Sequence, residues 1–461
     1  MLRIAVVGSG PSGVYTAQAL VGQPLVPGVL VDVLDRLPCP YGLVRYGVAP
    51  DHEKIKSLQN TLRSVLEHER VRFLGNVEIG AHGLTPERLL ELYHAVVYCV
   101  GAARDRRLGI PGEDLAGSHS ATDFVSWYSA HPDAAPAGFG LGARSVVVIG
   151  VGNVAVDVAR VLARGAEDLR PTDVPHPALG ALAGSAVRDV HMVGRRGPSQ
   201  AKFTTKELRE LGALPSAEVR VEPADLALDP AYAPAQSPAA ATPQPLAAVN
   251  RRNVEVVRGW AALPDRGRER RIHLRFFLRP VELLGAEGRV TAVRFERTAP
   301  DERGGVRGTG TYEEIEAGLV LRAVGYRGVP IAGLPFDGTT GTVPHLAGRV
   351  LRHGVASPGE YVAGWIKRGP TGVIGTNRAC AKETVASLIA DAPSLSARRI
   401  TADALDALRA AGHRPVEWPG WLAIEDAEAA LGASLGRRSV KIPDWEGLLT
   451  AARGERGPSR P

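Results

Sequence analysis

A glycine-rich motif near the start of the chain, GSGPSG at residues 8–13, constrains the fold more than any other feature. The apolar run at 2–8 predicts a buried strand, residues 11–22 predict a helix, and residues 30–34 predict a second strand. A strand, a glycine loop and a helix in this order are typical of a βαβ unit that binds a dinucleotide. A glycine-rich turn without a ligand is the alternative.

The glycines of this motif have separate roles in such a unit. Gly8 allows the tight turn, Gly10 lets the backbone approach a pyrophosphate, and Gly13 lets helix and strand pack closely. The helix N-terminus, which includes Ser12, presents free N–H groups and a positive dipole end to the phosphates. Asp35 closes the second predicted strand, where a carboxylate can accept hydrogen bonds from a ribose diol.

A second βαβ unit has a different residue type at the corresponding position. It begins at the predicted strand 145–149, continues through the motif GVGNVA at 150–155 and returns in the predicted strand 187–193. Arg195 and Arg196 follow that strand, and two guanidiniums can bind a 2′-phosphate that a carboxylate would repel. We therefore predict that the first unit binds FAD and the second binds NADP. Taken singly, the two arginines are also compatible with a solvated surface.

Two strands that run into glycines indicate where the chain changes domains. The predicted strands 95–100 and 319–324 bracket the second βαβ unit. We predict an α/β fold with two Rossmann-like dinucleotide-binding domains, the NADP domain being inserted in the FAD domain. The first part of the predicted FAD domain is 1–103, and the inserted NADP domain is 104–324. The second part of the FAD domain, with a C-terminal extension, is 325–461.

The remaining segments give weaker signals. The charged stretch 53–70 predicts a helix, 254–324 predicts short alternating strands, and the region after 390 predicts short helices and loops. The Ala/Pro-rich segment 226–248 predicts a surface excursion whose role the sequence does not indicate.

Composition excludes several classes of protein. The 461 residues contain no run of 18 apolar residues and no secretory signal before the first strand, so no membrane span is expected. Cys39, Cys99 and Cys380 form neither a CxxC pair nor a cluster-ligand spacing, which favours a reducing, cytoplasmic location and no built-in iron–sulfur centre or other metal. The net charge of +6 suits an acidic protein partner, and no nucleic-acid partner is expected.

A third glycine-rich segment, GWIKRGPTGVIGTN, occupies 364–377 between a predicted strand at 361–363 and a helix from about 376. Small residues at a helix start let a flavin ring rest against the backbone. The positive end of that helix would stabilise negative charge on the pyrimidine side of the reduced flavin.

These segments closely resemble the adrenodoxin-reductase type of ferredoxin–NADP reductases, in order from residue 3 to about residue 390. The further matching stretches are YGLVR at 41–45, GVAPDH at 47–52, IPGED at 110–114, residues 150–160, VGRRGP at 193–198, FTTKELREL at 203–211 and VGYRGVP at 324–330. An ordered set of this kind is far more specific than either glycine loop alone.

The resemblance also implies which residues form the site. Besides the first glycine loop, the residues implied near FAD are Ser12, Asp35, Leu43, Val77, Trp365, Gly372, Val373 and Ile374. The residues implied for NADP are Asn153, Val154, Arg195, Arg196 and Glu207, with Gly372 close to both cofactors. His52 and Glu210 would lie near the nicotinamide and could handle protons.

Some of these residues have structural alternatives. Thr204 and Glu207 also match the pattern of a helix capping box. His52 is equally compatible with a hydrogen-bonded loop histidine. Asp157, inside the helix of the second unit, is expected to pair within the chain.

The family function implied by the resemblance is electron transfer. Hydride would pass from NADPH to FAD, and single electrons would then pass to a ferredoxin-type iron–sulfur protein. A flavin disulfide reductase would need a cysteine pair, which the sequence lacks. The open alternatives are an NADPH-dependent flavin monooxygenase, an electron-transfer subunit with a different acceptor, and a nucleotide-binding sensor without turnover. The physiological acceptor, the redox potential and the oligomeric state are not indicated by the sequence.

The sequence departs from the family pattern in places that concern the partner more than the flavin chemistry. Asp35 stands where the family usually has Glu, Tyr41 replaces a commoner Trp, and both 226–248 and the end after 390 match poorly.

A basic cluster near the predicted NADP site is a candidate docking face. Lys202, Lys206 and Arg209 would present positive charge to an acidic ferredoxin if 204–212 is helical. A solvated surface is the alternative.

Overall fold

The structure, a computed structural model, describes residues 2–80, 84–134, 138–232, 247–400 and 402–454. It divides into two compact units. Unit 1 comprises Met1–Arg104, Ser129–Asp133 and Gly325–Pro461, and unit 2 comprises Asp105–Tyr128 and Ala134–Val324. Along the chain, unit 2 is therefore inserted between parts of unit 1.

The elements are numbered in chain order. The first strands are β1 (Arg3–Val7), β2 (Leu30–Leu34), β3 (Val71–Leu74), β4 (Ala95–Tyr98) and β5 (Arg104–Asp105). The first helices are α1 (Pro11–Gly22), α2 (Leu43–Tyr46), α3 (Glu53–Lys56), α4 (Leu58–Leu66) and α5 (Pro86–Leu92).

The middle of the chain contains the elements of unit 2. Its strands are β6 (Ser118–Ser120), β7 (Ser145–Ile149), β8 (Asp189–Val193), β9 (Ala217–Val221), β10 (Arg270–Arg275), β11 (Leu278–Ala286), β12 (Arg289–Pro300), β13 (Val306–Glu316) and β14 (Leu319–Arg322). Its helices are α6 (Ala121–Tyr128), α7 (Asn153–Ala163), α8 (Ala166–Leu169), α9 (His176–Ala183), α10 (Thr205–Gly212), α11 (Pro223–Ala227) and α12 (Ala248–Ala261), with short 3₁₀ turns at Pro198–Gln200 and Pro230–Tyr232.

The last part of the chain completes unit 1. Its strands are β15 (Tyr326–Arg327), β16 (His345–Leu346), β17 (Arg349–Arg352) and β18 (Val355–Val362). Its helices are α13 (Trp365–Arg368), α14 (Thr376–Ala390), α15 (Ala392–Ser396), α16 (Ala404–Ala410), α17 (Trp418–Ser434) and α18 (Trp445–Ala452).

Unit 1 is built on a seven-stranded sheet in the order β16-β17-β18-β4-β1-β2-β3. The strands from β18 to β3 pair in parallel, whereas β16, β17 and β18 pair antiparallel. The inner strand β1, between β4 and β2, is buried from Ile4 to Val7 because apolar side chains pack against both of its faces. The carboxyl end of this strand leads directly into the first glycine loop.

Unit 2 is built on a six-stranded sheet in the order β6-β14-β7-β8-β10-β9. All its strand pairs are parallel, and the central strand β7 leads into the second glycine loop. The strands β11, β12 and β13 form a separate antiparallel sheet of long strands. In a parallel sheet, ligands bind beyond the carboxyl ends of the strands, so each glycine loop lies at the edge where a site is expected.

These two sheets, whose strands are parallel around each glycine loop, confirm the predicted α/β fold with two Rossmann-like units. The predicted helix 11–22 and the predicted strands 30–34 and 145–149 are observed with those bounds. No helix within the described ranges is long and apolar enough to cross a membrane.

Other predicted elements need correction. The prediction of strands from residue 254 is wrong for 254–261, which belong to the helix α12. Val254 and Val257 are buried there, and a spacing of three places both on one helical face. The predicted helix 53–70 is two helices that meet at Ser57. Most of the predicted excursion at 226–248 lies outside the described residues.

The C-terminal helices form part of the core of unit 1. Helix α17 is longer than the short helices that the sequence predicts, and its Trp421 is 1% exposed. The same helix carries Glu428, which forms a bidentate ion pair with Arg45 of α2 at 2.6 and 3.1 Å. Lys441 donates hydrogen bonds to the carbonyls of Arg45 and Ser129 at 2.7 and 3.2 Å. The C-terminal region therefore fixes α2, the helix that begins at Leu43.

Candidate functional site

The first glycine loop leaves open space at only one of its three glycines. A Cβ atom on Gly13 would lie 1.7 Å from the carbonyl oxygen of Gly8, and one on Gly8 would lie 2.6 Å from that of Cys99. A Cβ on Gly10 would meet nothing closer than the Cα of Gly42, at an ordinary 3.8 Å. Packing within the protein explains Gly8 and Gly13. The absence of a side chain at Gly10 instead suits the close approach of a ligand to the backbone.

Asp35 is tied to this loop. Its Oδ2 accepts hydrogen bonds from the N–H and the hydroxyl of Ser9 at 2.7 and 2.5 Å, and its Oδ1 accepts one from the N–H of Leu37 at 2.9 Å. Burial raises the pKa of Asp35, and the hydrogen bonds from Ser9 and Leu37 oppose that shift. The shorter side chain thus holds the glycine loop in place, and its contact with a ribose stays a prediction.

Several residues implied for FAD have unsatisfied groups or exposed apolar surface. Ser12 Oγ and Trp365 Nε1 are buried without a hydrogen-bond partner of normal geometry in the described part of the chain. Leu43 is 42% exposed and Val373 is 62% exposed, although both are large and apolar. Val77, in contrast, is buried in the core. A bound flavin would offer hydrogen-bond partners to these polar atoms and would bury these exposed apolar side chains.

The third glycine-rich segment lies against Ser12, a residue of the first glycine loop in unit 1. Gly364 has φ +78°, and a Cβ there would lie 2.3 Å from Ser12 Oγ. The indole of Trp365 stacks on the ring of Tyr326 with centroids 5.6 Å apart. Gly372 and Val373 are exposed, Ile374 is partly exposed, and all three precede α14.

The second glycine loop repeats the pattern of the first. Gly150 has φ +143°, and a Cβ on it would lie 2.3 Å from the carbonyl oxygen of Ala323. A Cβ on Gly152 would meet no atom within 4 Å. Packing within the protein therefore does not explain Gly152, as it does not explain Gly10 in the first loop. Val154 lies in the first turn of the helix that follows.

Arg195 and Arg196 lie just beyond β8 without side-chain partners. Arg195 is exposed and Arg196 is partly exposed, and neither guanidinium forms an ion pair or hydrogen bond with any described residue. Arg271, on the neighbouring strand, instead pairs with Asp189 at 2.7 Å. Two adjacent guanidiniums without a protein partner, at the end of the second βαβ strand, suit a phosphate.

Thr204 and Glu207 form only half of a capping box. The hydroxyl of Thr204 accepts a hydrogen bond from the N–H of Glu207 at 3.4 Å, as a helix cap requires. The N–H of Thr204, however, donates to Asn153 Oδ1 at 2.8 Å instead of to the carboxylate. Glu207 Oε2 is buried and has no partner among the described residues. The capping alternative thus explains Thr204 but leaves this carboxylate available to a ligand.

Glu210 and His52 lie in different units. Glu210 Oε2 accepts a hydrogen bond from the buried Arg160 at 3.3 Å, and Arg160 also pairs with Asp157 at 2.9 Å. The expected internal pairing of Asp157 is therefore present. His52 is buried immediately before α3. Roles in proton transfer stay predictions for Glu210 and His52.

The cysteines are unsuited to redox chemistry. Cys39, Cys99 and Cys380 are free and buried. Burial raises the pKa of Cys39 to about 11 and that of Cys99 to about 12. A thiol with such a pKa forms little thiolate at neutral pH and is a poor nucleophile.

Comparisons with known proteins agree with this geometry. Residues 2–210 match the family described as "Pyridine nucleotide-disulphide oxidoreductase". The chain is 39% identical over 467 residues to "NADPH:adrenodoxin oxidoreductase, mitochondrial" of Arabidopsis thaliana, with 98% of this chain and 95% of the relative covered. It is 43% identical over 468 residues to "NADPH-ferredoxin reductase FprA" of Mycobacterium tuberculosis, with 98% and 99% covered.

A solved structure, "Mycobacterium tuberculosis FprA in complex with NADPH", has a TM-score of 0.89 and 42% sequence identity to this chain. The match covers 98% of this chain and 100% of the chain in the solved structure. A match of this extent includes most of the residues after 390, which the sequence motifs alone do not connect to the family.

Proposed function

Because the chain belongs to the family of NADPH-dependent ferredoxin and adrenodoxin reductases, we propose that it is an FAD enzyme that passes electrons from NADPH to a ferredoxin-type iron–sulfur protein. The observation that carries this proposal is the contrast between its two dinucleotide units. In one, Asp35 follows the second strand, and in the other the unpaired Arg195 and Arg196 stand there. The two loops therefore favour different cofactors, and only the second favours a 2′-phosphate.

The chain would hold FAD through unit 1. FAD supplies the conversion between two-electron and one-electron transfer, which protein side chains do not provide. The open backbone at Gly10 and the N-terminus of α1 suit its diphosphate. Ser12 offers an unpartnered hydroxyl, and Leu43 and Val373 offer exposed apolar surface to cover the rings.

The chain would hold NADP through unit 2. Gly152 leaves space for a diphosphate at the start of α7, and the two arginines would bind the 2′-phosphate bidentately. The unpartnered oxygen of Glu207 can accept a hydrogen bond from an amide or hydroxyl of the coenzyme. Asn153 is held in place by its bond to Thr204, so this wall of the site is ordered before ligand binds.

The two proposed proton-handling residues differ in their surroundings. Glu210 Oε2 lies 3.3 Å from a guanidinium nitrogen of the buried Arg160, which fixes its position. We therefore propose that Glu210 helps to orient the coenzyme. His52 stays the candidate for proton transfer.

The simplest test of this proposal is cofactor content. Purified protein should be yellow and should release one noncovalent FAD per chain on denaturation. Apo-protein should regain its visible spectrum when FAD is added. A colourless chain that folds and cannot be reconstituted would contradict the proposed function.

The proposed partner is an acidic ferredoxin that docks on unit 2. Lys202, Lys206 and Arg209 are exposed, the last two lie three residues apart on α10, and none has an ion-pair partner among the residues that the structure describes. A ferredoxin attracted by this face should be reduced about tenfold more slowly at 0.5 M than at 0.05 M salt, because salt screens long-range attraction. Stopped-flow rates with ferredoxin and with a small neutral dye would measure the difference.

Charge reversal separates this face from the overall charge of the protein. Lys206→Glu with Arg209→Glu should slow only the ferredoxin reaction. The matched control reverses Arg303 and Arg307, two exposed arginines of unit 2 in and beside β13, and should leave that rate nearly unchanged. Equal effects of the two double variants, or none from either, would show that the docking face lies elsewhere.

The matched family description makes a disulfide mechanism the alternative to test. The three cysteines are buried, and Cys380 Sγ accepts a hydrogen bond from the N–H of Gly364 at 3.3 Å, a role that a serine oxygen can take. The triple variant Cys39→Ser, Cys99→Ser and Cys380→Ser should keep its NADPH-to-dye rate within about twofold, because the thiols are not reactive. Loss of turnover with flavin still bound would restore a thiol mechanism.

A further inference from the structure

Arg368, a partly exposed cation at the end of α13, has no carboxylate partner among the described residues. Arg368 forms no ion pair with a described residue, and its Nε and Nη1 are buried without hydrogen-bond partners there. The adjacent Lys367 differs, since its Nζ lies 3.1 Å from a carboxylate oxygen of Glu383 and donates to Thr384 Oγ1 at 3.1 Å. Buried guanidinium N–H groups are costly without an acceptor, so the site at Arg368 is incomplete in the protein alone.

The remaining guanidinium nitrogen of Arg368 holds the loop that precedes α14. Nη2 donates to the carbonyl of Thr371 at 3.2 Å and to Asn377 Oδ1 at 3.1 Å. The amide of Asn377 in turn donates to the carbonyl of Ile374 at 3.0 Å. Arg368 therefore spans the loop at both ends, and Asn377 connects it to the residue before the helix cap.

The start of α14 adds positive potential to this cation. The helix has 15 residues, its first turn contains no acidic side chain, and no side chain caps its N-terminus. The unpartnered hydroxyl of Ser12 belongs to the same cluster, because a Cβ on Gly364 would lie 2.3 Å from Ser12 Oγ and 3.7 Å from Asn377 Oδ1. Donors and positive charge therefore converge on one small region of unit 1.

We propose that Arg368 is a positioning residue that sets the redox potential of the bound flavin by favouring its reduced, negatively charged form. The inference rests on the proposed binding of FAD and on the expectation that 372–374 face the flavin ring. The guanidinium fixes the backbone of that loop. Its positive charge would attract the reduced, anionic flavin more strongly than the neutral, oxidised flavin. A charge that interacts with one redox state more than the other shifts the potential.

The test compares the midpoint potential of FAD in the wild type, Arg368→Gln and Arg368→Lys. The glutamine variant should bind reduced flavin at least tenfold more weakly relative to oxidised flavin, which lowers the potential of a two-electron couple by about 30 mV. The lysine variant keeps the charge and should show less than half of that shift. The matched control Lys382→Gln removes an exposed cation further along α14 and should leave the potential unchanged.

Folding and flavin affinity are measured alongside. If Arg368→Gln does not fold, Asn377→Ala, which removes one partner of the guanidinium, takes its place and should shift the potential in the same direction. An unchanged potential in FAD-bound Arg368→Gln, or in Asn377→Ala where that variant takes its place, would overturn the inference, as would an equal shift in Lys382→Gln. Failure of the wild type to bind FAD would instead contradict the proposed function.

Discussion

Replacement of both Arg195 and Arg196 by alanine should reduce the preference for NADPH over NADH by a hundredfold or more. In the proposed site, each guanidinium would contribute a charge-assisted hydrogen bond to the 2′-phosphate, at about 1.5–3 kcal/mol each. A combined loss of about 3 kcal/mol or more corresponds to a factor of roughly one hundred in relative affinity. NADH has no phosphate at this position, so its binding should change little. Steady-state kcat/KM values for both coenzymes would measure the change.

Two other adjacent arginines of unit 2 provide the control. Arg251 and Arg252 are exposed on α12, and their replacement by alanine removes the same formal charge. That control variant should keep its coenzyme preference. An unchanged NADPH/NADH ratio in the first variant, or an equal loss in both, would contradict the assignment of the 2′-phosphate site.

Glu428→Gln should destabilise unit 1 by about 3–5 kcal/mol, since removal of one partner leaves the other ion of a buried pair without compensation. The Arg45 and Glu428 side chains are 5% and 4% exposed, so water cannot replace the lost charge. Lys441 adds a second buried cation beside the carbonyl of Arg45. Urea unfolding followed by flavin fluorescence would measure the loss, and FAD affinity should fall with it because α2 carries Leu43.

The same helix supplies a control for this prediction. Glu425 pairs with Arg63 at 3.0 Å, but both side chains are about one-third exposed. Pairs of that kind contribute about 0–1 kcal/mol, so Glu425→Gln should change stability little. Similar unfolding midpoints for the two glutamine variants would show that burial does not increase the stability cost of breaking the Arg45–Glu428 pair.

The sequence predicted best the features that depend on neighbouring residues. Both glycine loops lie between a strand and a helix as predicted, because each motif combines an apolar run with glycines required by local backbone geometry. The sequence also indicated Arg195 and Arg196 from their place after a strand. The helix α12 was missed because the segment holding Val254 and Val257 was interpreted by alternation, although the spacing of these two valines fits a helix.

Features that depend on distant residues were beyond reach of the sequence. Arg45 and Glu428 are 383 positions apart, and nothing in either local pattern indicates the other. The carboxylate of Glu207 stays free of the capping box because Asn153 Oδ1, and not Glu207, accepts the hydrogen bond from the N–H of Thr204. Arg368 lies within a recognised glycine-rich segment, but its lack of a carboxylate partner is apparent only in three dimensions.

Stopped-flow mixing of the FAD-loaded protein with NADPH, followed by oxidised ferredoxin, tests the central claim most directly. NADPH should bleach the flavin absorbance in the absence of oxygen, and NADH at the same concentration should do so much more slowly. Ferredoxin should then restore the oxidised spectrum while its own iron–sulfur absorbance falls. Flavin that NADPH does not reduce, or reduced flavin that passes no electrons to any ferredoxin tested, would contradict the account.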